Sequence, residues 1–166
     1  MATVTLGGNP VNTNGSLPEK GSKLVELSFT KNDLSTISLS SLQGTRLILN
    51  IFPSIDTGTC AASVRQFNKL ASELSNTKVL CISRDLPFAQ KRFCGAEGIE
   101  NVETLSDFQA GSAGKALGLE LVDGPLKGLH ARAIIVVDEN NVVLHSELVA
   151  EIANEPNYDA AIKVLS

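Results

Sequence analysis

Three cysteines and two histidines are the residues of this chain best suited to nucleophilic or acid–base chemistry. Cys60 closes the stretch "PSIDTGTC", between the apolar run "RLILNIF" and the segment "AASVRQFNKLASEL". The run reads as a strand and the segment as a helix, so Cys60 falls where one hands over to the other. In an α/β sheet, ligands and chemistry gather at the carboxyl ends of strands. Free N–H groups and the dipole of a helix N-terminus there favour a thiolate over a thiol. Gly58 permits a tight bend, while Pro53 stiffens the approach and withholds a donor. Asp56 opposes thiolate formation if it faces the sulfur, or caps the helix if it turns away, so the site calls for a nearby cation. Position alone leaves two readings open: an activated nucleophile, or a small buried hydrophobe, as most free cysteines are.

Thr57 stands where a C-x-x-C dithiol would carry its other sulfur. A hydroxyl there cannot exchange disulfides, but it can donate and accept hydrogen bonds with an oxygen substrate. Cys81, in "KVLCIS", lies inside an apolar run between Leu80 and Ile82, where burial makes a thiol inert. Cys94, in "KRFCGAEG", sits near the end of a helical segment, and Gly95 makes that end easy to fray. His130 is two residues from Arg132, and a Cys–His pair suggests a cysteine hydrolase. Nothing in the sequence specifies a residue to orient that imidazole, however, and Thr57 would have no role. His130 is read as a loop residue that modulates the site at most, and His145 as the solvent side of a strand. There is no CxxC pair, no HExxH and no dense His/Cys cluster, so no metal site is expected.

The elements that must hold these residues follow from the apolar periodicity. "ATVTL" alternates and leads into "GGNPVNTNGSLPEKG", punctuated as turns and short extended pieces. "LVELSFTKNDLSTISLSSLQG" has period-two hydrophobics on both sides of "TKNDLS" and predicts a hairpin. "RLILNIF" and "TKVLCIS" are continuous apolar runs, as strands covered on both faces require. Between them Val64, Phe67, Leu70, Ala71 and Leu74 share one helical face. "DLPFAQKRFCGAEG" predicts a helix with Asp85 as N-cap and Gly95 near its end. "VETLSD" reads as a short strand and "SAGKALG" as a short helix. "ARAIIVVDENNVVLHSEL" reads as a hairpin turning at "DENN", and "YDAAIKVL" as a closing helix started by "NEPN". The order β-α-β-α-β-α-β-β-α behind an N-terminal β preface predicts an α/β, thioredoxin-like fold with an N-terminal β-hairpin extension. The first crossover should be parallel and right-handed. With no linker or internal repeat, residues 1–166 are expected to form one domain.

Composition narrows the functional classes. The chain is 43% hydrophobic and 19% charged, with formal net charge −4 and no basic stripe, which argues against nucleic acid. No segment approaches the roughly 20 apolar residues of a membrane span. The start lacks a basic and apolar leader pattern, so a reducing, cytoplasmic setting is expected, where cysteines are catalytic, metal-binding or inert rather than structural disulfides.

"PSIDTGTC" fits the P-x-x-x-T-x-x-C signature of the peroxiredoxins. The blocks "NIFPSIDTGTCAASVRQFN", "VLCISRDLPFAQKRFCGAEG" and "DGPLKGLHARAIIVVDE" are similar to the bacterial thiol peroxidase subfamily, an atypical two-cysteine group, and the similarity spans essentially the whole chain. The resemblance implies a peroxidase and antioxidant enzyme with no metal, flavin or haem. It implies that Cys60 is the peroxidatic cysteine, that Thr57 hydrogen-bonds the thiolate and peroxide, and that Pro53 shields the sulfur from water. Arg132 would lower the energy of the thiolate, hold the peroxide and supply the cation that Asp56 makes desirable; without the resemblance it reads as a strand-edge surface arginine. Cys94 would be the resolving cysteine, forming an intramolecular Cys60–Cys94 disulfide that thioredoxin reopens. The two positions are 94 − 60 = 34 apart on separate helices. Intact helices would hold them beyond the ~7 Å Cα limit for a disulfide, so resolution should need local unwinding. Hydroperoxides, hydrogen peroxide or organic, are the implied substrates, and a homodimer the implied assembly. A peroxide sensor signalling through the same disulfide is the alternative, distinguished by turnover.

Overall fold

A computed structural model describes all residues, 1–166. Nine strands and four α-helices run in the order β1 (Thr3–Leu6), β2 (Asn9–Asn12), β3 (Ser28–Thr30), β4 (Thr36–Ser38), β5 (Arg46–Ile51), α1 (Gly58–Ala71), β6 (Thr77–Ser83), α2 (Pro87–Glu97), β7 (Glu103–Ser106), α3 (Ser112–Leu117), β8 (Ala133–Val137), β9 (Val143–Leu148) and α4 (Tyr158–Lys163). One turn of 3-10 helix, Leu39–Leu42, precedes β5. Seven strands form one sheet in the order β4-β3-β7-β6-β5-β8-β9, and β1 pairs antiparallel with β2 as a separate hairpin. β5, β6 and β7 are parallel neighbours, whereas β8 and β9 add antiparallel on one side and β3 and β4 on the other. This is the α/β thioredoxin-like fold with its N-terminal hairpin.

Period-two alternation divides the apolar side chains between two cores. Leu47, Leu49 and Ile51 of β5, Leu80 and Ile82 of β6, and Ile135 and Val137 of β8 face one way, toward α3 and the hairpin residues Val4 and Val11. Ile48, Val79, Cys81, Ile134 and Val136 face the other, under Val64 and Phe67 of α1, Phe93 of α2 and Ala161 of α4. Because both faces are covered, the central strands read as unbroken apolar runs. Cys60 and Cys81 share one core, beneath the helices.

Two local expectations, Asp85 as a cap and Leu74 on the face of α1, differ from the structure. Asp85 does not cap α2: the N-cap position is Leu86, and no side chain caps that end. Gly95 does lie near the end of the helix, in its last turn, and the cap itself is Gly98 in the left-handed region (φ 64°). Leu74 lies past the end of α1, half-buried against the same core.

Candidate active site

Cys60 stands in the first turn of α1 and is fully buried. The N–H groups of Gly58, Thr59 and Cys60 make no backbone hydrogen bond, because a helix start has no preceding carbonyls to offer them. They leave a concentration of positive partial charge at the sulfur's end of the helix. Arg132, immediately before β8, reaches this point from the neighbouring strand. Its Nη2 donates to Cys60 Sγ at 3.2 Å, and its Nε donates to the Ile152 carbonyl at 2.8 Å. Nη1 is buried and makes no hydrogen bond. Far from being a strand-edge surface residue, Arg132 is only 1% exposed. A guanidinium withdrawn from water this completely needs acceptors, and the Cys60 sulfur and the Ile152 carbonyl supply them.

Pro53 and Thr57 frame the approach. Pro53 is buried, and together with Thr57, Leu6, Leu126, Arg132 and Ile152 it lines a cavity of about 240 Å³. The Thr57 hydroxyl donates to the Ser54 carbonyl at 3.1 Å and not to the sulfur, so its lone pairs are free to accept. Asp85 holds this loop in shape. Its carboxylate accepts from Ser54 Oγ (2.7 Å), the Ile55 N–H (2.7 Å) and Ser83 Oγ (2.5 Å), while Ser106 Oγ donates to its carbonyl. Sequence reasoning missed this role. The only signal was an acidic residue after a buried strand, which also describes a helix cap.

Asp56 turns outward and neither caps α1 nor faces the sulfur. It pairs with Arg92 of α2 at 2.9 Å, both side chains being well exposed. Arg132 is therefore not its cation. Two further contacts tie α1 to α2 and the turn after it. Arg65 forms a two-pronged pair with Glu97 (2.7 and 3.2 Å) and lies over the Phe93 ring, and Asn68 Oδ1 accepts the N–H of Glu100 and Asn101. The mutual hydrogen bonds lower the Glu97 carboxyl and raise the Arg65 guanidinium from their ordinary ranges.

Cys94 is not brought to Cys60. It is half-buried in the last part of α2, with Sγ 3.5 Å from Thr104 Oγ1, and lines a separate cavity of about 270 Å³ with Lys31, Glu103 and Thr104. All three cysteines are free thiols. Cys81 is fully buried in β6, and burial pushes its thiol up to about 12 despite a 3.6 Å hydrogen bond from Asn50. That is the environment of an inert sulfur. His130 is fully buried with Nε2 2.9 Å from Asp107 Oδ2, so it is a packed residue rather than a loop residue flanking the site. His145, expected on the solvent side, is half-buried in β9. No group of three or more His, Cys, Asp or Glu side chains is placed to hold a metal ion, and no helix is long and apolar enough to cross a membrane.

Cys60 thus stands at a helix start, beside a buried arginine, on a thioredoxin-like sheet. The redoxin family profile matches residues 19–162. The chain is 52% identical to the thiol peroxidase of Corynebacterium glutamicum over 166 residues, which is 100% of both chains. Its structure superposes with a TM-score of 0.93 on a peroxiredoxin-like protein from Aquifex aeolicus, at 35% identity over 99% of this chain and 96% of that one. A thiol peroxidase from Chromobacterium violaceum gives 0.91, at 25% identity over 98% and 94%. The chain belongs to the redoxin family, and within it is a peroxiredoxin enzyme of the thiol peroxidase kind.

Proposed function

We propose that the chain reduces hydrogen peroxide and organic hydroperoxides by attack of the Cys60 thiolate on the terminal peroxide oxygen. An S–O bond forms as the O–O bond breaks, and the departing oxygen leaves as water or an alcohol after taking a proton. The observation that carries this reading is Arg132, buried with Nη2 on the Cys60 sulfur at 3.2 Å and Nη1 unpaired. One nitrogen holds the nucleophile while the other remains available to the charge developing on oxygen, the arrangement that stabilises an oxyanion best. Thr57, whose hydroxyl donates to the Ser54 carbonyl, accepts the peroxide O–H through its lone pairs, and Pro53 keeps water from the sulfur.

The resulting sulfenic acid is attacked by Cys94; an S–S bond forms and the sulfenic oxygen departs as water. In the reduced form the two thiols have different neighbours, so this step requires α2 to loosen. The helix is suited to that. It has no side-chain N-cap, no acidic residue in its first turn and no basic one in its last, and it buries only Pro87, Gln90 and Phe93. An external dithiol must reopen the disulfide, and thioredoxin is the expected reductant in a cytoplasmic setting. We also assign a homodimer: Leu86 and Phe88, 51% and 66% exposed at the start of α2, offer an apolar surface close to the site loop. The whole chain acts as one domain.

The test is peroxide consumption by Cys60→Ser with thioredoxin and its reductase. Activity should be abolished in a protein that keeps its fold, because a hydroxyl is a far poorer nucleophile at neutral pH. Substantial turnover in folded Cys60→Ser would refute the assignment.

A further inference from the structure

Glu151 lies between β9 and α4, outside the residues assigned above, yet its carboxylate is the most heavily hydrogen-bonded acidic group near the site. Oε1 accepts from Thr5 Oγ1 at 3.0 Å and from the Gly8 N–H at 2.8 Å. Oε2 accepts from the Gly7 N–H at 3.1 Å and from the Ala153 N–H at 2.9 Å. Gly7 and Gly8 form the β1–β2 turn with φ of 59° and 85°, a left-handed pair that glycine adopts freely. Successive N–H groups turned the same way make a concave anion site, and here the anion is a side chain of the same protein. These donors hold the carboxyl down at about 2.

The clamp continues as a short parallel contact. The Thr5 N–H donates to the Ala150 carbonyl and the Ile152 N–H to the Thr5 carbonyl, each at 2.8 Å. Residues 150–153 are thereby laid along β1. From that segment two carbonyls point toward the active site: Ile152 accepts Arg132 Nε at 2.8 Å, and Ala153 accepts Thr59 Oγ1 at 2.9 Å. The only hydrogen bond that orients the Arg132 guanidinium, apart from the one to sulfur, thus ends on a residue adjacent to Glu151. The same arrangement sets Leu6 and Ile152 into the cavity wall.

We infer that Glu151 is a positioning residue for the peroxide reaction, pinning the glycine turn of the β1–β2 hairpin to residues 150–153 so that the Ile152 carbonyl aims Arg132 at Cys60. The inference rests on the role proposed for Arg132. Geometry of this kind matters because a displacement of about 1 Å at a reacting centre can cost roughly a hundredfold in rate. Glu151→Gln keeps the side chain's shape but turns an amide N–H₂ toward one pair of donors, so half of the clamp is lost.

The experiment measures single-turnover peroxide reduction and the pH profile of Cys60 alkylation by iodoacetamide, with thermal unfolding as the check on folding. Glu151→Gln should slow the peroxide step about tenfold, within the range that misplacement produces. Its alkylation profile should move to more alkaline pH, because the thiolate loses its aligned cation. In an Arg132→Met background, adding Glu151→Gln should change neither readout by more than about twofold, since coupled residues are non-additive. Thr5→Val removes one donor without disturbing the backbone and should show the same pattern at about two- to threefold. Unchanged Cys60 chemistry in both single variants overturns the inference, as does an equal loss in the Arg132→Met background, which would make Glu151 a general structural support. If Arg132→Met alone leaves Cys60 unaltered, the underlying reading fails instead.

Discussion

Arg132→Met is the perturbation that bears hardest on the chemistry. Methionine preserves most of the aliphatic length and removes the charge and the forked donors. The guanidinium nitrogen lies 3.2 Å from Cys60 Sγ, with the rest of its charge farther away. At a charge separation of about 4 Å, the attraction of a thiolate is about 4 kcal/mol at an effective dielectric of ~20. Part of this offsets the cost of withdrawing both groups from water. The leaving oxygen also loses a donor, and removing one such donor typically costs about 10²–10³ in rate. The two losses act on the same step, so the second-order rate with hydrogen peroxide should fall at least about a hundredfold. Stopped-flow mixing of prereduced protein with excess peroxide measures this without a recycling system, and circular dichroism confirms that the sheet persists. A rate within threefold of the parent protein would refute the reasoning and leave the burial of Arg132 against the sulfur unexplained.

Cys94→Ser should reduce about one equivalent of peroxide and then stall, with Cys60 passing to sulfinic acid, whereas Cys81→Ser should keep thioredoxin-linked turnover; both are read by peroxide stoichiometry and intact mass. Arg65→Ala removes the paired hydrogen bonds to Glu97 and the contact over Phe93. Exposed pairs contribute about 0.2–1 kcal/mol, so disulfide formation should quicken up to about fivefold while the peroxide step is unchanged; rapid-quench alkylation separates the two. Glu151 has its carboxyl lowered from 4.5 to about 2. A depressed carboxyl stabilises the fold fully above its ordinary value and loses that contribution as pH falls through the folded one. The stability gap between the parent protein and Glu151→Gln in urea should therefore be constant above about pH 5 and close toward pH 2. A gap that stays constant down to pH 2 would contradict the clamp.

The legible parts of this molecule were those encoded in short stretches. "RLILNIF" and "TKVLCIS" announce central strands because burial on both faces forces unbroken apolar runs, and β5 and β6 fall on them. Cys60, Thr57 and Pro53 were picked out by motif and Arg132 by the family resemblance alone, and the structure brings them together. Other features depend on contacts between distant residues. Asp85 looked like a helix cap because an acidic residue before "LPFAQ" fits that pattern, but beside Ser83 two of its donors, Ser54 and Ile55, lie about 30 positions earlier, in the Cys60 loop. Glu151 carried no signal, since its partner Thr5 is 146 positions away. Arg132 sits in "LHARAII", where nothing local reveals that the helix start of another segment will cover it. The outward turn of Asp56 to Arg92 was hidden for the same reason.

The central claim is that Cys60 is oxidised first and that Cys94, on a helix that must loosen, captures it. Treating the fully reduced protein with one equivalent of hydrogen peroxide and mapping its disulfides by peptide mass spectrometry tests this most directly, with hydrogen exchange on the same sample. The account predicts a single Cys60–Cys94 bridge, a free Cys81, and faster exchange in residues 57–62 and 90–96 while β5 and β6 stay protected. A bridge through Cys81, or equal protection of those two stretches in both redox forms, would contradict it.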